Sequence, residues 1–331
     1  MRARGIACTA KNTAQVVAFD LPDTLEPHEV LIERAYSAIS PGTDRRCLDL
    51  REPGTNGQAP FLMGYSSVGT IKAAGADVTL PVETRVFGGG SHHVDLPTCW
   101  GAYTSHAVIP AEGLVVIPEG VDLLHASIAK LAAISYGGLR LARPQPHETV
   151  AIIGLGVIGQ FAARLFHLAG CRVVAASRQT HHRSAAQACG INTVDSSNQS
   201  LAQAFKPHFP TGADIVVDCT GAPAVLQESV KLLADLPWDE SHKAGPRLVI
   251  QGSYASDFTL NYQDLFLREA SILVPRFSRN YDLTAIFNLL NQGRLHVDDL
   301  VANVHPAEHC QAVYDDLANP NTHPSLAVFK W

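Results

Sequence analysis

The sequence predicts an α/β protein in which a doubly wound parallel sheet follows an irregular, turn-rich β segment. Three observations carry this prediction. From about residue 125 onward, continuous apolar runs alternate with stretches of helical periodicity. A glycine-rich turn, Gly154-Leu-Gly-Val-Ile-Gly159, joins one of those runs to the helix after it. The residues before about 125 break instead into short β-like runs separated by Gly and Pro. Strands alternating with helices imply right-handed βαβ units, hence a parallel sheet with helices on both faces.

In chain order, Val30–Ala35, Ser67–Ile71 and Leu114–Ile117 read as strands of the first segment. Ser40-Pro-Gly42, Pro53-Gly54, Gly88-Gly-Gly90 and Pro118-Glu-Gly120 supply its turns. Ala126–Leu141 has a helical apolar period. Val150–Ile153 is uniformly apolar, as strands of buried parallel sheets are. Ile158–Ala169 reads as a helix, Arg172–Ala176 as a strand and Arg183–Cys189 as a helix. Ile215–Asp218, Arg247–Gln251 and Ser271–Val274 continue the strands. A helix at Leu283–Leu290 and a terminal strand at Leu326–Phe329 close the chain.

Composition narrows the function. A chain of 331 residues is long enough for about two domains. Its net charge of -6 and lack of any basic block exclude a nucleic-acid binder, which needs clustered Lys and Arg. No apolar run is long enough to span a membrane, and the N-terminus lacks the apolar core of a signal peptide. The seven cysteines are scattered and never form a C-x-x-C pair. They read as reduced thiols of a cytoplasmic protein.

The chemistry concentrates at Gly154–Gly159. A glycine turn that follows a strand and opens a helix lets a pyrophosphate approach the backbone, and the helix N-terminus offers it free N–H groups. Gly154, Gly156, Val157, Ile158 and Gly159 are therefore candidate dinucleotide ligands. The next strand ends at Ser177-Arg178, and Arg178 lies 24 positions after Gly154. A residue about 20 positions on normally reads the adenosine ribose, an acidic one for NAD. No carboxylate occurs from Cys171 to Thr193, whereas Ser177, Arg178, His181, His182 and Arg183 do. Arginine pairs with a 2′-phosphate, so the expected cofactor is NADP(H), with Ser177, Arg178 and Arg183 as ligands. Asp218-Cys-Thr-Gly221 and Gln251-Gly-Ser253 end later strands. Cys219, Thr220, Gly252 and Ser253 should line the same site, with Cys219 as packing rather than nucleophile.

These features, with Gly64-Tyr-Ser-Ser-Val-Gly69 and Trp100-Gly-Ala-Tyr-Thr-Ser-His-Ala-Val108, resemble the medium-chain dehydrogenases/reductases, the alcohol dehydrogenase-like superfamily, over nearly the full length. Ala38-Ile-Ser-Pro-Gly-Thr-Asp44 and Gly64–Gly69 are most similar to the branch containing bacteriochlorophyllide dehydrogenase, and some dehydrogenases of glycosides are similar around Pro41–Asp44. The resemblance implies a GroES-like irregular β domain of residues 1–124 and 277–331, the catalytic domain. A Rossmann dinucleotide-binding domain, residues 125–276, is inserted into it. It also implies a homodimer, since family members pair through an edge strand such as Ser271-Ile-Leu-Val-Pro275.

The family's zinc members carry Cys in the strand matching Ala38–Ser40, His-Glu in a G-H-E motif, and a further Cys or Glu ahead of the glycine turn. Here those positions hold Ser40, Tyr65-Ser66 and Lys130, poor zinc ligands, so no metal is expected. His92, His93, Asp95 and Cys99 are the remaining metal candidate, with a surface loop as the plainer account. His305, His309 and His323 show no ligand spacing. Without zinc, the reacting oxygen needs hydrogen-bond donors. Tyr65 and Ser66 are the first candidates to touch substrate. Thr43 matches the hydroxyl that relays protons in metal-dependent relatives. Asp44 would orient that loop, and Lys130 reads as a helix-surface lysine. Arg276, Ser278, Arg279 and Tyr281 border the nicotinamide by the same resemblance.

The function so implied is a zinc-independent oxidoreductase moving hydride between NADP(H) and a carbonyl/alcohol, or an activated alkene, of a small organic substrate. Oxidation of a polyol, sugar or pigment side-chain alcohol is an alternative substrate class. A non-catalytic NADP(H)-binding sensor or structural subunit is an alternative from another class.

Overall fold

The computed structural model describes residues 1–237, 244–301, 303–319 and 326–331. It divides into two units, Met1–Lys130 with Leu283–Trp331, and Leu131–Asp282. The N-terminal stretch supplies β1 (Arg2–Ala10), β2 (Thr13–Asp20), β3 (Glu29–Ala38), α1 (Pro41–Leu48), β4 (Phe61–Leu62), β5 (Ser67–Ala74), β6 (Arg85–Gly88), β7 (His106–Pro110), β8 (Val115–Val116) and α2 (Leu123–Ser127). Then come α3 (Ala129–Ala142), β9 (Thr149–Ile153), α4 (Val157–Leu168), β10 (Arg172–Ser177), α5 (Thr180–Ala188), β11 (Asn192–Asp195), α6 (Leu201–Phe205), β12 (Ile215–Asp218), α7 (Pro223–Val230), β13 (Arg247–Ile250), α8 (Tyr262–Phe266) and β14 (Ser271–Leu273). The chain returns through α9 (Asn280–Asn291), β15 (Asn303–Pro306), α10 (Cys310–Ala318) and β16 (Ala327–Lys330).

In the first unit, β3 is the spine of a mixed sheet. β5 runs antiparallel along one edge of β3, while the other edge is shared by β7 and β16. The last strand of the chain therefore lies beside Ala38, just ahead of α1. Pro41 opens α1, where its fixed φ and missing N–H cost nothing. A separate hairpin of β1 and β2 turns over Asn12, whose φ of 58° is left-handed, and β4 pairs with its other edge. The composition of that hairpin did not single it out in the sequence. The helix expected at Ala126–Leu141 is broken: α2 ends at Ser127, and the Ile128 N–H bonds back to His125 O at 3.3 Å before α3 begins.

The second unit holds a parallel sheet in the order β11-β10-β9-β12-β13-β14. Burial follows position in the sheet. The central β12 is buried throughout and β9 nearly so, while β11 buries only Val194 and β14 exposes Ser271 and Ile272. Continuous apolar runs need cover on both faces. Phe205, Phe209, Leu226 and Val230 supply it on one face, and Ala162, Phe166 and Ala186 on the other. The order reverses between β9 and β12, so ligands are expected at the carboxyl ends of those two strands. Together these sheets form the α/β architecture of a Rossmann-like parallel sheet and a separate mixed β sheet. Among the described residues, no helix is long and apolar enough to cross a membrane.

Candidate active site

The dinucleotide cradle is built where β9 meets α4. Gly154 turns the chain with a φ of 87°, and a Cβ there would lie 2.9 Å from Thr220 Cγ2. Gly159 sits beneath the turn, where a Cβ would lie 1.8 Å from the Gly154 carbonyl oxygen. Gly156, the residue before α4, faces open space, with nothing within 4 Å of an added Cβ. No side chain caps α4, so its first N–H groups are left for a ligand. Val157 and Ile158, half-buried, form its first turn.

The facing wall comes from β12 and β13. Asp218, fully buried, accepts at Oδ1 from the Thr220 N–H (2.8 Å) and hydroxyl (2.7 Å), and at Oδ2 from Tyr254. A Cβ at Gly252 would lie 2.4 Å from the Gly221 nitrogen, so the two loops pack backbone to backbone. Thr220 and Ser253 are left exposed on this fixed wall. Burial pushes the Cys219 thiol well above its usual range, which fits packing rather than attack. These residues suit a dinucleotide: an uncapped helix end, an open glycine and a wall without bulky side chains.

At the far end of the cradle, Ser177 is buried and its hydroxyl accepts from the Gln179 N–H at 3.1 Å, while Arg178 is exposed. Arg183 is committed elsewhere. It donates to Ser177 O at 2.7 Å and Thr180 Oγ1 at 3.1 Å, and pairs with Asp195 Oδ2 at 2.8 Å. Asp195 ends β11, a strand that sequence reasoning missed, just past the carboxylate-free stretch.

In the first unit, the candidate catalytic residues gather at the entrance to α1. The Tyr65 hydroxyl donates to Ser40 Oγ at 2.6 Å and is also in hydrogen-bond contact with Thr43. Burial pushes its pKa above the usual range, so it holds its proton at neutral pH. Its ring meets Trp100 edge-on at 5.5 Å. Ser66 is fully buried and donates to Ser127 O at 2.6 Å, which ties the loop to α2. Its donor is thus spent within the protein. Asp44 proves more central than a loop-orienting role suggested. It is buried, and Oδ2 accepts from Tyr103 (2.9 Å) and Tyr314 (3.2 Å). Burial pushes its pKa up to about 7. The Tyr103 ring fills the space where a Cβ of Gly64, at 2.0 Å, would stand, so the Gly64 motif and the Trp100–Tyr103 motif are one packing unit. Lys130 is half-buried, with Nζ 6.0 Å from the Phe87 ring centroid, rather than on an open helix surface.

The positions where family resemblance looks for zinc do not fit the metal. Ser40, Tyr65 and Ser66 present hydroxyls that are protonated and bonded to one another or to a carbonyl, whereas zinc takes thiolate, imidazole or carboxylate. The His92–Cys99 candidate is also dispersed. His93 bonds to buried Glu29 at 2.7 Å, and Cys99 faces Cys47 with 3.8 Å between sulfurs. Among the described residues, no three His, Cys, Asp or Glu side chains are grouped to hold a metal ion. His323 lies outside the described residues. In the crossover, Arg276 stacks on Phe277 and Tyr281 is exposed. The Arg279 N–H donates to Asp282 at 2.9 Å, and Ser278 is buried.

Residues 157–292 match the family of zinc-binding dehydrogenases. D-arabinitol dehydrogenase 1 of Uromyces fabae is 25% identical over 337 residues, covering 92% of this chain and 90% of that one. The 2-desacetyl-2-hydroxyethyl bacteriochlorophyllide A dehydrogenase of Rhodobacter capsulatus is 24% identical over 298 residues, covering 87% and 86%. The fold matches a Sinorhizobium meliloti protein bound to NADP, with TM-score 0.85, 22% identity and full coverage of both chains. It matches equally an alcohol dehydrogenase of Escherichia coli CFT073 complexed with NADH, with TM-score 0.85, 19% identity and coverage of 100% and 99%. Fold, family match and relatives together support the alcohol dehydrogenase-like, medium-chain dehydrogenase/reductase superfamily, and with it an oxidoreductase of the dehydrogenase class.

Proposed function

We propose that the protein is a zinc-independent, NADP(H)-dependent oxidoreductase that interconverts an alcohol and a ketone on a small polyhydroxylated substrate. The observation that carries this reading is the half-buried Tyr65 phenol, hydrogen-bonded to Ser40, at a place where zinc relatives hold a metal ligand. When bound, the dinucleotide supplies the hydride donor or acceptor. Gly154 and Gly156 would receive its phosphates, Gly159 would let α4 pack close beneath them, and Arg178 would hold the 2′-phosphate. Tyr65 would turn its hydroxyl from Ser40 to the substrate and donate its proton to the carbonyl oxygen as negative charge develops there, with Ser40 and Thr43 as its route of replacement. Ser66 holds the Tyr65 loop through Ser127. The names of the polyol and pigment dehydrogenases among the relatives favour the alcohol/ketone chemistry over reduction of an alkene. Seven free thiols suit a reducing, cytoplasmic setting.

Oxidation of NADPH should run faster with ketoses than with enones or quinones, and metal analysis of the active protein should find no stoichiometric zinc. Tyr65→Phe should lower kcat about a hundredfold, the usual loss for one oxyanion donor. If NADPH binds yet Tyr65→Phe leaves turnover unchanged, a non-catalytic dinucleotide-binding role takes its place. Arg178→Ala should weaken NADPH about tenfold or more while leaving NADH unaffected, because a charge-assisted bond to phosphate is lost.

The assembly proposed is a homodimer. β14 pairs only with β13 among the described residues and exposes Ile272 (42%) and Val274 (64%) beside its open edge. Ile272→Lys should give a monomer in light scattering where the native chain gives a dimer.

A further inference from the structure

We propose that Arg183 and Asp195 form a charge pair that sets the preference between NADPH and NADH. Arg183 masks a carboxylate that would otherwise repel a 2′-phosphate. The proposal rests on the reading that the Ser177-Arg178 end of β10 faces the adenosine ribose.

Strand register places the pair. β10 and β11 run parallel with Ser177 beside Asp195, so the carboxylate stands at the same carboxyl edge of the sheet as the ribose-reading segment. Asp195 is charged at neutral pH. The Ser197 hydroxyl and N–H, then Arg183, hold its carboxyl below the usual range. About half of its side chain is exposed (48%), so its field reaches solvent. Arg183 is mostly covered (14%) and bridges Ser177 O, Thr180 Oγ1 and Asp195. Its fork is therefore spent on the protein and is not aimed at a ligand. Arg178, next to Ser177 and exposed, is the cation open to a phosphate.

The consequences differ for the two cofactors. A dianionic 2′-phosphate is repelled by an unpaired carboxylate nearby and much less by one held in an ion pair. A ribose 2′-OH carries no charge and is not repelled by that carboxylate; in NAD sites the acidic residue that accepts from it ends the neighbouring strand, where this chain has Ser177-Arg178. Removing Arg183 should thus do more than loosen a loop. It should unmask Asp195 and move selectivity toward NADH.

The test is equilibrium binding of NADPH and NADH to the purified full chain, followed by cofactor fluorescence at low and high salt. Asp195→Asn should tighten NADPH about threefold and leave NADH unchanged or weaker. Arg183→Ala should weaken NADPH about tenfold more than NADH, and high salt should shrink that difference. The double variant Arg183→Ala/Asp195→Asn should recover NADPH binding to within about threefold of the native chain. Equal losses of NADPH in Arg183→Ala and the double variant would overturn the proposal, as would an unchanged NADPH-to-NADH ratio in Asp195→Asn. If Arg183→Ala fails to fold, the exposed Asp195→Asn change still decides the matter through that ratio. A native chain that binds NADH as tightly as NADPH defeats the NADP reading instead. The charge pair is then judged by the shift of the ratio, not its starting value.

Discussion

Gly159→Ala is expected to abolish dinucleotide binding and to destabilise the protein by about 3 kcal/mol, whereas Gly156→Ala should abolish binding alone. The difference follows from where a methyl group would go. At Gly159 it would lie 1.8 Å from the Gly154 oxygen and 2.8 Å from the Gly154 carbonyl carbon. Both are backbone atoms, so α4 would have to move away from β9, and the buried run from Gly159 to Phe166 would move with it. At Gly156 the methyl meets no protein atom within 4 Å and the backbone is extended, with φ of -63°, so the fold accepts it. It would instead occupy the space through which a pyrophosphate reaches the helix N-terminus. Urea unfolding without cofactor and titration with NADPH separate the two effects. If Gly156→Ala unfolds as early as Gly159→Ala, the open face is structural and the phosphate site lies elsewhere.

That contrast also shows what the sequence discloses. Short-range patterns were legible: the uniformly apolar Val150–Ile153, the glycine turn and the helix after it become β9, the cradle and α4 nearly residue for residue. Their neighbours in space are neighbours in sequence, so local period and turn chemistry suffice. Asp195 escaped because β11 is a short edge strand with only Val194 buried, and its polar residues read as loop. Asp44 was visible as a residue but not as a centre. Its two tyrosine partners are 59 and 270 positions away, and only the folded sheet, with β16 returning beside β3, brings them together. Lys130 was misread for a related reason, since the Phe87 ring beneath its ammonium, 6.0 Å away, belongs to β6.

Stability should fall as pH rises from about 4 to about 7, and Asp44 should account for much of the fall. Its carboxyl is pushed from 3.8 up to about 7 by burial, outweighing the Tyr103 and Tyr314 hydroxyls, the Ser40 backbone and Arg46, which favour the anion. Cys47 and Tyr65, also close by, are driven up and stay neutral. Oδ1 has no hydrogen-bond partner, so an anion there would lose water without full compensation. The sign follows from proton counts. Between the two values the folded chain keeps a proton that the unfolded chain has released, so each step up in pH favours unfolding. Below the unfolded value both states are protonated and the effect vanishes. Above about 7 it is complete, at about 4 kcal/mol as an upper bound. Asp44→Asn keeps a carbonyl oxygen for the two tyrosines but cannot ionise. Its unfolding free energy should be flat across this window apart from other groups, and it should overtake the native chain near neutrality. Tyr103→Phe removes a donor that favours the anion, so it should shift the native fall to higher pH. Identical pH slopes for the native chain and Asp44→Asn would show that the buried carboxyl does not titrate in this window.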